Sequence, residues 1–232
     1  MKNIVITGAS SGIGRASAIK LSEDINNRLF LISRNEAKLN DLLNKIKGNR
    51  DRIIIMPFDV ISGDYNELSH QIKEIAGTVD VLINNAGALI NKPFSEIIID
   101  DFDLMVNTNF KGPFFLIQRL LPILNSGAHI VNISSMGGFQ GSVKFPGLSV
   151  YSSSKGALAI LTECLALELK QVGISVNCLA LGSVQTDMLK EAFPGYQAPL
   201  TSETMAEFIA DFALNGHKWI NGKIIPVSIS TP

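Results

Sequence analysis

At 232 residues the chain is long for one domain and short for two. Hydrophobic residues make up 46% and charged residues 18%, which suits a packed α/β core with several buried strands. The net charge of −1 argues against attraction to nucleic acid or an anionic membrane, and no apolar run approaches the roughly 20 residues that span a bilayer.

The N-terminus enters a strand at once (Asn3–Thr7), leaving no room for a signal peptide, so a cytoplasmic protein is expected. Short β-branched runs then alternate with helical patterns to the other end. A helix is expected over Ile13–Asp24, a strand over Leu29–Ser33, and a helix over Glu36–Lys47 with Leu39, Leu42, Leu43 and Ile46 on one face. A strand at Ile53–Pro57, a helix at Asn66–Ala76 and a strand at Val79–Asn84 follow, then one long helix from about Ile99 to Leu121. His129–Ser134 reads as a strand, Ser152–Gln171 as a helix, Ile174–Leu179 as a strand, Thr201–Leu214 as a helix and Lys223–Val227 as a last strand. Strands this uniformly apolar are buried on both faces. The alternation predicts one domain, residues 1–232, built as a Rossmann-type doubly wound parallel sheet with helices on both sides. Cys164 and Cys178 both fall in elements expected to be buried and read as reduced core thiols.

In such sheets ligands bind beyond the carboxyl ends of the strands. After the first strand, Gly8, Gly12 and Gly14, with Ser10, Ser11 and Ile13 among them, let the backbone approach a pyrophosphate at a helix N-terminus. A tight structural turn would use the same residues. After the second strand, Ser33 stands where NAD binders usually carry an acid, and Arg34 follows. A hydroxyl and a guanidinium accept a 2′-phosphate that a carboxylate would repel, so NADP(H) is expected over NAD(H). A solvent-exposed arginine at a helix start is the alternative. Asp59-Val60 after the third strand and Asn84-Asn85-Ala86-Gly87 after the fourth could each be turn formers alone.

Taken in order, Thr7–Gly14 (TGASSGIG), Asn84–Gly87 (NNAG), Asn109–Gly112 (NFKG), Ile133–Ser135 (ISS), Tyr151–Lys155 (YSSSK) and Gly182–Thr186 (GSVQT) resemble the motifs of the short-chain dehydrogenase/reductase family, from Ile4 to about Pro226. The resemblance implies a sheet of about seven strands, a nicotinamide cofactor and a catalytic set of Asn109, Ser135, Tyr151 and Lys155. It also implies that Asp59 and Val60 contact the adenine and that the Asn85, Ala86 and Gly87 backbone lines the adenosine side. By the same resemblance Val184 and Thr186 hold the carboxamide, Tyr151 and Lys155 touch the cofactor as well, and the chain assembles as a homotetramer or homodimer. Four features depart from the family. Leu181 replaces the usual proline before Gly182, which predicts a less rigid turn. The connector from Ser135 to Tyr151 is longer, and the lid at about 187–200 is short. The chain ends Val227-Ser228-Ile229-Ser230 where a glycine pair is common.

A phenol near an ammonium is expected to ionise below its usual range of about 10 and so to work as an acid or base. Tyr151 and Lys155, four residues apart at a helix start, share a face. Ser135 would steady the substrate oxygen. Pro113 has no N–H for the Asn109 carbonyl, which is thereby freed either for a water in a proton relay or merely as a proline kink. His70, His129 and His217 are isolated in sequence with no ligand spacing, so no metal is expected, and Ser135 has no hydrolase elbow.

The expected activity is hydride transfer between the nicotinamide and a small ketone or secondary alcohol. A catalytically silent dinucleotide sensor on the same fold is the rival. Leu89, Ile90, Phe139, Phe145, Met188, Leu189, Phe193 and Tyr196 are candidates for an apolar pocket, or equally for core or interface. Leu124–Gly127 lacks the basic cluster that an acidic acyl carrier would need. Phe102–Leu121 and Ala157–Leu169 are apolar on more than one face, with Ala159, Leu161, Cys164, Leu165 and Leu167 in the second stretch, which favours a homo-oligomer.

Overall fold

The computed structural model describes residues 1–48 and 50–229, so the expected departure at Ser230 lies outside the described residues. Strand β1 (Lys2–Thr7) leads through α1 (Gly12–Ser22), β2 (Asn27–Ser33), α2 (Glu36–Lys45), β3 (Ile53–Pro57) and α3 (Tyr65–Ala76) to β4 (Val79–Asn84). Then come α4 (Ile99–Val106), a π-helical turn (Asn107–Lys111), α5 (Gly112–Leu120), β5 (Leu124–Ser135), α6 (Ser149–Glu168) and β6 (Ser175–Leu181). The chain closes with β7 (Val184–Gln185), α7 (Asp187–Ala192), β8 (Leu200–Thr201), α8 (Ser202–Asn215) and β9 (Ile224–Val227). Seven strands form one parallel sheet in the order β3-β2-β1-β4-β5-β6-β9, and β7 pairs with β8 apart from it.

The period-2 alternation of side chains sends each strand's apolar residues to both faces. Ile4, Ile6, Leu29, Leu31 and Ile83 pack with Leu21, Leu39, Met205 and Ile209 from α1, α2 and α8. Val5, Phe30, Ile32, Leu82 and Ile130 pack on the other face with Leu68, Ile72, Leu116 and Leu120 from α3 and α5, and with Ala166 from α6. The sheet is thus a buried plate, and its order reverses between β1 and β4, where a crevice opens at the carboxyl ends.

Two expectations are corrected here. The long helix from Ile99 to Leu121 is broken at Asn107–Lys111, where the Gly112 N–H bonds back to the Asn107 carbonyl. Pro113 lacks an N–H, and the widened turn takes up the register change. Cys164 is exposed, whereas Cys178 is buried in β6. The face of α6 that carries Cys164 and Leu167 points away from the sheet, and only the opposite face, with Leu158, Thr162 and Ala166, enters the core.

The histidines are not all isolated either: the His129 and His217 rings lie 5.3 Å apart. Among the described residues, however, no three His, Cys, Asp or Glu side chains cluster as metal ligands. No helix among them is long and apolar enough to cross a membrane. His129 is fully buried, with Nδ1 3.0 Å from the Ala213 carbonyl and Nε2 3.0 Å from Asn177 Nδ2. The amide nitrogen can only donate, so Nε2 accepts and Nδ1 carries the proton. Burial first, and the neighbouring His217 to a lesser degree, depress His129 to about 4 against the opposing bond to Ala213.

The unfolded chain, titrating near 6.5, therefore binds more protons than the folded one between about pH 6.5 and 4. Stability is full above that window and is lost as pH falls through it, by an amount on the order of 3 kcal/mol. Urea denaturation at pH 7 and pH 4 should register this loss, and His129→Gln should reduce the slope. An equal pH dependence in the two proteins would remove His129 as its source.

Candidate active site

The loop after β1 is shaped by two glycines in left-handed backbone, Gly8 (φ 67°) and Gly12 (φ 50°). A Cβ at Gly8 would stand 2.9 Å from the Ala86 Cα, and one at Gly12 would stand 3.2 Å from Thr186 Cγ2. The turn is thus pressed between the strand-end loops of β4 and β6. Gly14 serves the turn itself rather than an open cradle, because a Cβ there would meet the Gly8 carbonyl oxygen and Asn85 Nδ2 at 2.3 Å each. The Thr7 hydroxyl accepts the backbone N–H groups of Asn85 and Ala86, each at 3.0 Å, and Asn85 Nδ2 donates to the Thr7 carbonyl at 3.1 Å. Ser11 precedes α1 in extended conformation with no side-chain cap bond, so its side chain does not satisfy the N–H groups of the first turn.

A cavity of about 570 Å³ opens at the carboxyl ends of the strands. Its lining includes Gly8, Ser11, Gly12, Ile13, Asn85, Ala86 and Gly87, together with Ser135, Tyr151 and Lys155, and Val184 and Thr186 from the segment after β6. The Gly137 N–H donates to the Ser135 hydroxyl at 3.1 Å, and the same hydroxyl favours the ionised form of the Tyr151 phenol. Lys155 Nζ donates to the Ile133 carbonyl at 2.8 Å. A Cβ at Gly87 would lie 3.4 Å from Asn109 Oδ1 and 3.5 Å from Lys155 Nζ, ordinary contact distances, so the β4 loop passes directly beside both side chains. Asn109 is fully buried. Its carboxamide accepts the Ala88 N–H at 2.8 Å, donates to the Ala88 carbonyl at 2.9 Å, and donates to Ser154 Oγ at 3.0 Å.

Burial pushes the Tyr151 phenol above its ordinary range, and the Ser135 hydrogen bond pulls it back in part. The expected lowering of the phenol by Lys155 is not found, because burial is the largest influence on it. Lys155 itself is depressed to about 8 by burial, with Cys178 opposing, and Cys178 is raised to about 11 by its own burial.

The other expected cofactor residues stand outside the cavity. Ser33 donates to the Ser10 hydroxyl at 2.7 Å, which ties the end of β2 to the glycine turn. Arg34 is exposed, and no side-chain hydrogen bond or ion pair holds it among the described residues. The Asp59 carboxylate accepts from the Ile61 N–H at 2.9 Å and from Ser62 Oγ at 3.3 Å, the geometry of a turn former. Val60 faces Gly112, where a Cβ would stand 3.1 Å from its own. Of the candidate pocket residues, Leu89, Phe145, Met188, Leu189, Phe193 and Tyr196 line the cavity, whereas Ile90 does not and Phe139 faces a separate groove.

A family description for short chain dehydrogenases matches residues 2–197, most of the chain. The chain belongs to the short-chain dehydrogenase/reductase family. It is 31% identical over 229 residues to an uncharacterized oxidoreductase of Staphylococcus aureus (strain USA300), covering 97% of this chain and 96% of that one. Among solved structures it resembles a short chain dehydrogenase from Burkholderia cenocepacia J2315 in complex with NADP (TM-score 0.86, 26% identity, 98% and 96% covered). It also resembles a 3-ketoacyl-(acyl-carrier-protein) reductase from Brucella melitensis complexed with NADH (TM-score 0.85, 25% identity, 97% and 96% covered). This short-chain dehydrogenase/reductase is therefore an oxidoreductase acting on CH–OH or C=O groups, and its family binds a nicotinamide dinucleotide. The residues fit that group: Gly8 and Gly12 line the cavity as backbone without side chains, and the start of α1 carries no side-chain cap on its first N–H groups, which suits an anionic pyrophosphate.

Several residues of this short-chain dehydrogenase/reductase site escaped sequence reasoning. Ser154 links Asn109 to the Tyr151 carbonyl, to which its hydroxyl donates at 2.8 Å. Ser134 donates to the Lys155 carbonyl at 2.9 Å. Both serines lie inside quoted motifs, and only their position beside named residues could have signalled them. The Tyr65 hydroxyl donates to the Val60 carbonyl and, at 3.4 Å, to that of Gly112, so it pins the β3 loop to α5. Burial and Asp59 push that phenol up to about 12. Nothing in the sequence around Tyr65 announces this contact.

Proposed function

We propose that this chain is an NADP(H)-dependent oxidoreductase that interconverts a small ketone and its secondary alcohol. The observation that supports the reading is that Ser135, Tyr151 and Lys155 line the same cavity as Gly8, Ser11, Gly12 and Ile13. Bound, the nicotinamide supplies or accepts the hydride. Tyr151 gives the proton to the substrate oxygen in reduction and takes it in oxidation. Ser135 holds that oxygen, donating toward the charge that grows on it. Lys155 holds positive charge beside the phenol and serves the ribose side, and Asn109 is proposed as the far end of a proton relay. Asp59, Val60, Asn85, Ala86 and Gly87 are assigned to the adenosine side, and Val184 and Thr186 to the carboxamide. The segment from 187 to 200 is assigned as the lid. The test is a panel of ketones and aldehydes with NADPH. Turnover supports the enzyme, and tight NADPH binding without turnover across the panel would favour a silent sensor.

The preference for NADPH rests on Ser33 in place of an acid and on the unpaired, exposed guanidinium of Arg34. Arg34→Ala should weaken NADPH binding by about 1–3 kcal/mol, the worth of a charged hydrogen bond, and leave NADH nearly unchanged. Fluorescence titration measures both. Equal affinity of the wild type for the two cofactors would sink the assignment.

A homo-oligomer, a tetramer or a dimer, is part of the same reading. Phe102 on α4, Phe114 on α5, and Ile160 and Leu167 on α6 are exposed apolar side chains, with Leu167 76% exposed, and burying them needs a partner surface.

A further inference from the structure

From the charge inventory of the cavity we infer that the carbonyl substrate is neutral and apolar, and that the site rejects compounds bearing a carboxylate or phosphate next to the reacting carbon. This rests on the proposed ketone reductase reading and names the substrate class within it. Beside Ser135 and Tyr151, and uncharged polar groups such as Ser183, Thr186 and Ser228, the walls carry Leu89, Phe145, Leu148, Met188, Phe193 and Tyr196. Three segments supply these apolar residues: the loop after β4, the long connector before α6, and the lid around α7.

The three segments are tied together. Asn91 Nδ2 donates to the Ala192 carbonyl at the end of α7 at 2.9 Å, and the Lys92 N–H donates to the Gly147 carbonyl at 3.0 Å. Gly147 is left-handed (φ 84°) and so close to Asn91 that a Cβ on it would fall 1.9 Å from the Asn91 side-chain oxygen. The apolar walls are therefore joined at the rim, and the long connector and the short lid form parts of one enclosure.

An anion entering that enclosure would give up water and would need a cation in return. Among the described residues that line it, Lys155 is the one cation. Its ammonium is already donated to the Ile133 carbonyl at 2.8 Å and lies against Gly87 in the loop after β4. The one other charge in the lining is negative, Asp187 at the start of α7. The lysines nearest the rim are engaged elsewhere: Lys92 with Asp101 at 2.7 Å, Lys190 with Asp187 at 3.8 Å, and Lys144 with the Phe139 carbonyl at 2.6 Å. An anionic substrate meets lost hydration and, beyond the engaged Lys155, no cation in the lining, whereas a neutral ketone gains from the apolar walls.

Three compounds of one carbon skeleton test this: 4-phenyl-2-butanone, 2-oxo-4-phenylbutanoate and the ethyl ester of that acid, each reduced with saturating NADPH and, separately, NADH. The neutral ketone and the ester should exceed the keto acid in kcat/KM by about 100-fold or more, as expected for an uncompensated charge in an apolar site. Met188→Arg, which places a guanidinium on the lid, should raise keto acid turnover and narrow the gap. A wild-type enzyme that reduces the keto acid as well as the ester overturns the inference and leaves the oxidoreductase reading standing. Failure to reduce any of the three with either cofactor overturns both.

Discussion

Tyr151→Phe should lower ketone turnover by about 10²–10⁴-fold, the usual worth of a positioned proton donor, and leave NADPH affinity nearly unchanged. The variant removes one oxygen, the proposed proton donor, and keeps the ring that forms part of the cavity wall. Burial holds the phenol above its ordinary range, so at neutral pH it carries its proton and stands ready as an acid. Carbonyl reduction should accordingly outpace alcohol oxidation near neutrality, and the oxidative rate should climb as pH rises. Steady-state kinetics in both directions, with a binding titration alongside, check these points together. Wild-type kcat in Tyr151→Phe would mean that the tyrosine is not the acid, and the mechanistic core of the proposal would be wrong.

Lys155→Ala should damage both binding and chemistry, with a loss in kcat/KM of about 10²–10³-fold, as for a charged donor removed from a water-excluded site. The lysine carries a second, sharper signature. Burial depresses it to about 8, so in the free protein it is an ammonium below that pH and an amine above. A group that binds an anionic cofactor as a cation loses that use as pH rises through its pKa. The kcat/KM for NADPH, which reports ionisations of the free enzyme, should therefore fall above about pH 8. The falling limb should disappear in Lys155→Ala, in whatever residual activity remains. A limb that persists unchanged would assign the ionisation to another group.

The separation of roles between these two residues was not visible in their spacing. Tyr151 and Lys155 do share the first turns of α6, as their four-residue interval requires. Spacing alone suggested that the ammonium would lower the phenol. The folded chain sends Nζ to the Ile133 carbonyl and surrounds both groups with enough protein that burial, a sum over many neighbours, outweighs any single partner.

Period and punctuation in the sequence were enough to determine the doubly wound parallel sheet. Uniformly apolar strands such as Ile4–Ile6 and Leu29–Ile32 can be satisfied only between two helical layers, and parallel strands need the helices that alternate with them. The ordered motifs likewise determined the family and part of the cavity lining, because strand-end residues of a parallel sheet converge on one edge, while Ser33, Arg34, Asp59 and Val60 fall outside that lining. Tertiary structure alone decided what depends on neighbours distant in the chain. It broke the long helix at Asn107–Lys111 and turned Cys164 outward. It bound Ser33 to Ser10 and paired Leu181 in register with Ser135 and Val227, where a less rigid turn was expected. Leucine, unlike proline, keeps an N–H for a strand ladder, and the strand runs on to the edge of the site. The joining of the β4 loop, the connector and α7 through Asn91 spans about a hundred residues of sequence. Local pattern cannot encode such a contact, because it exists only when the sheet has already brought those loops to one rim.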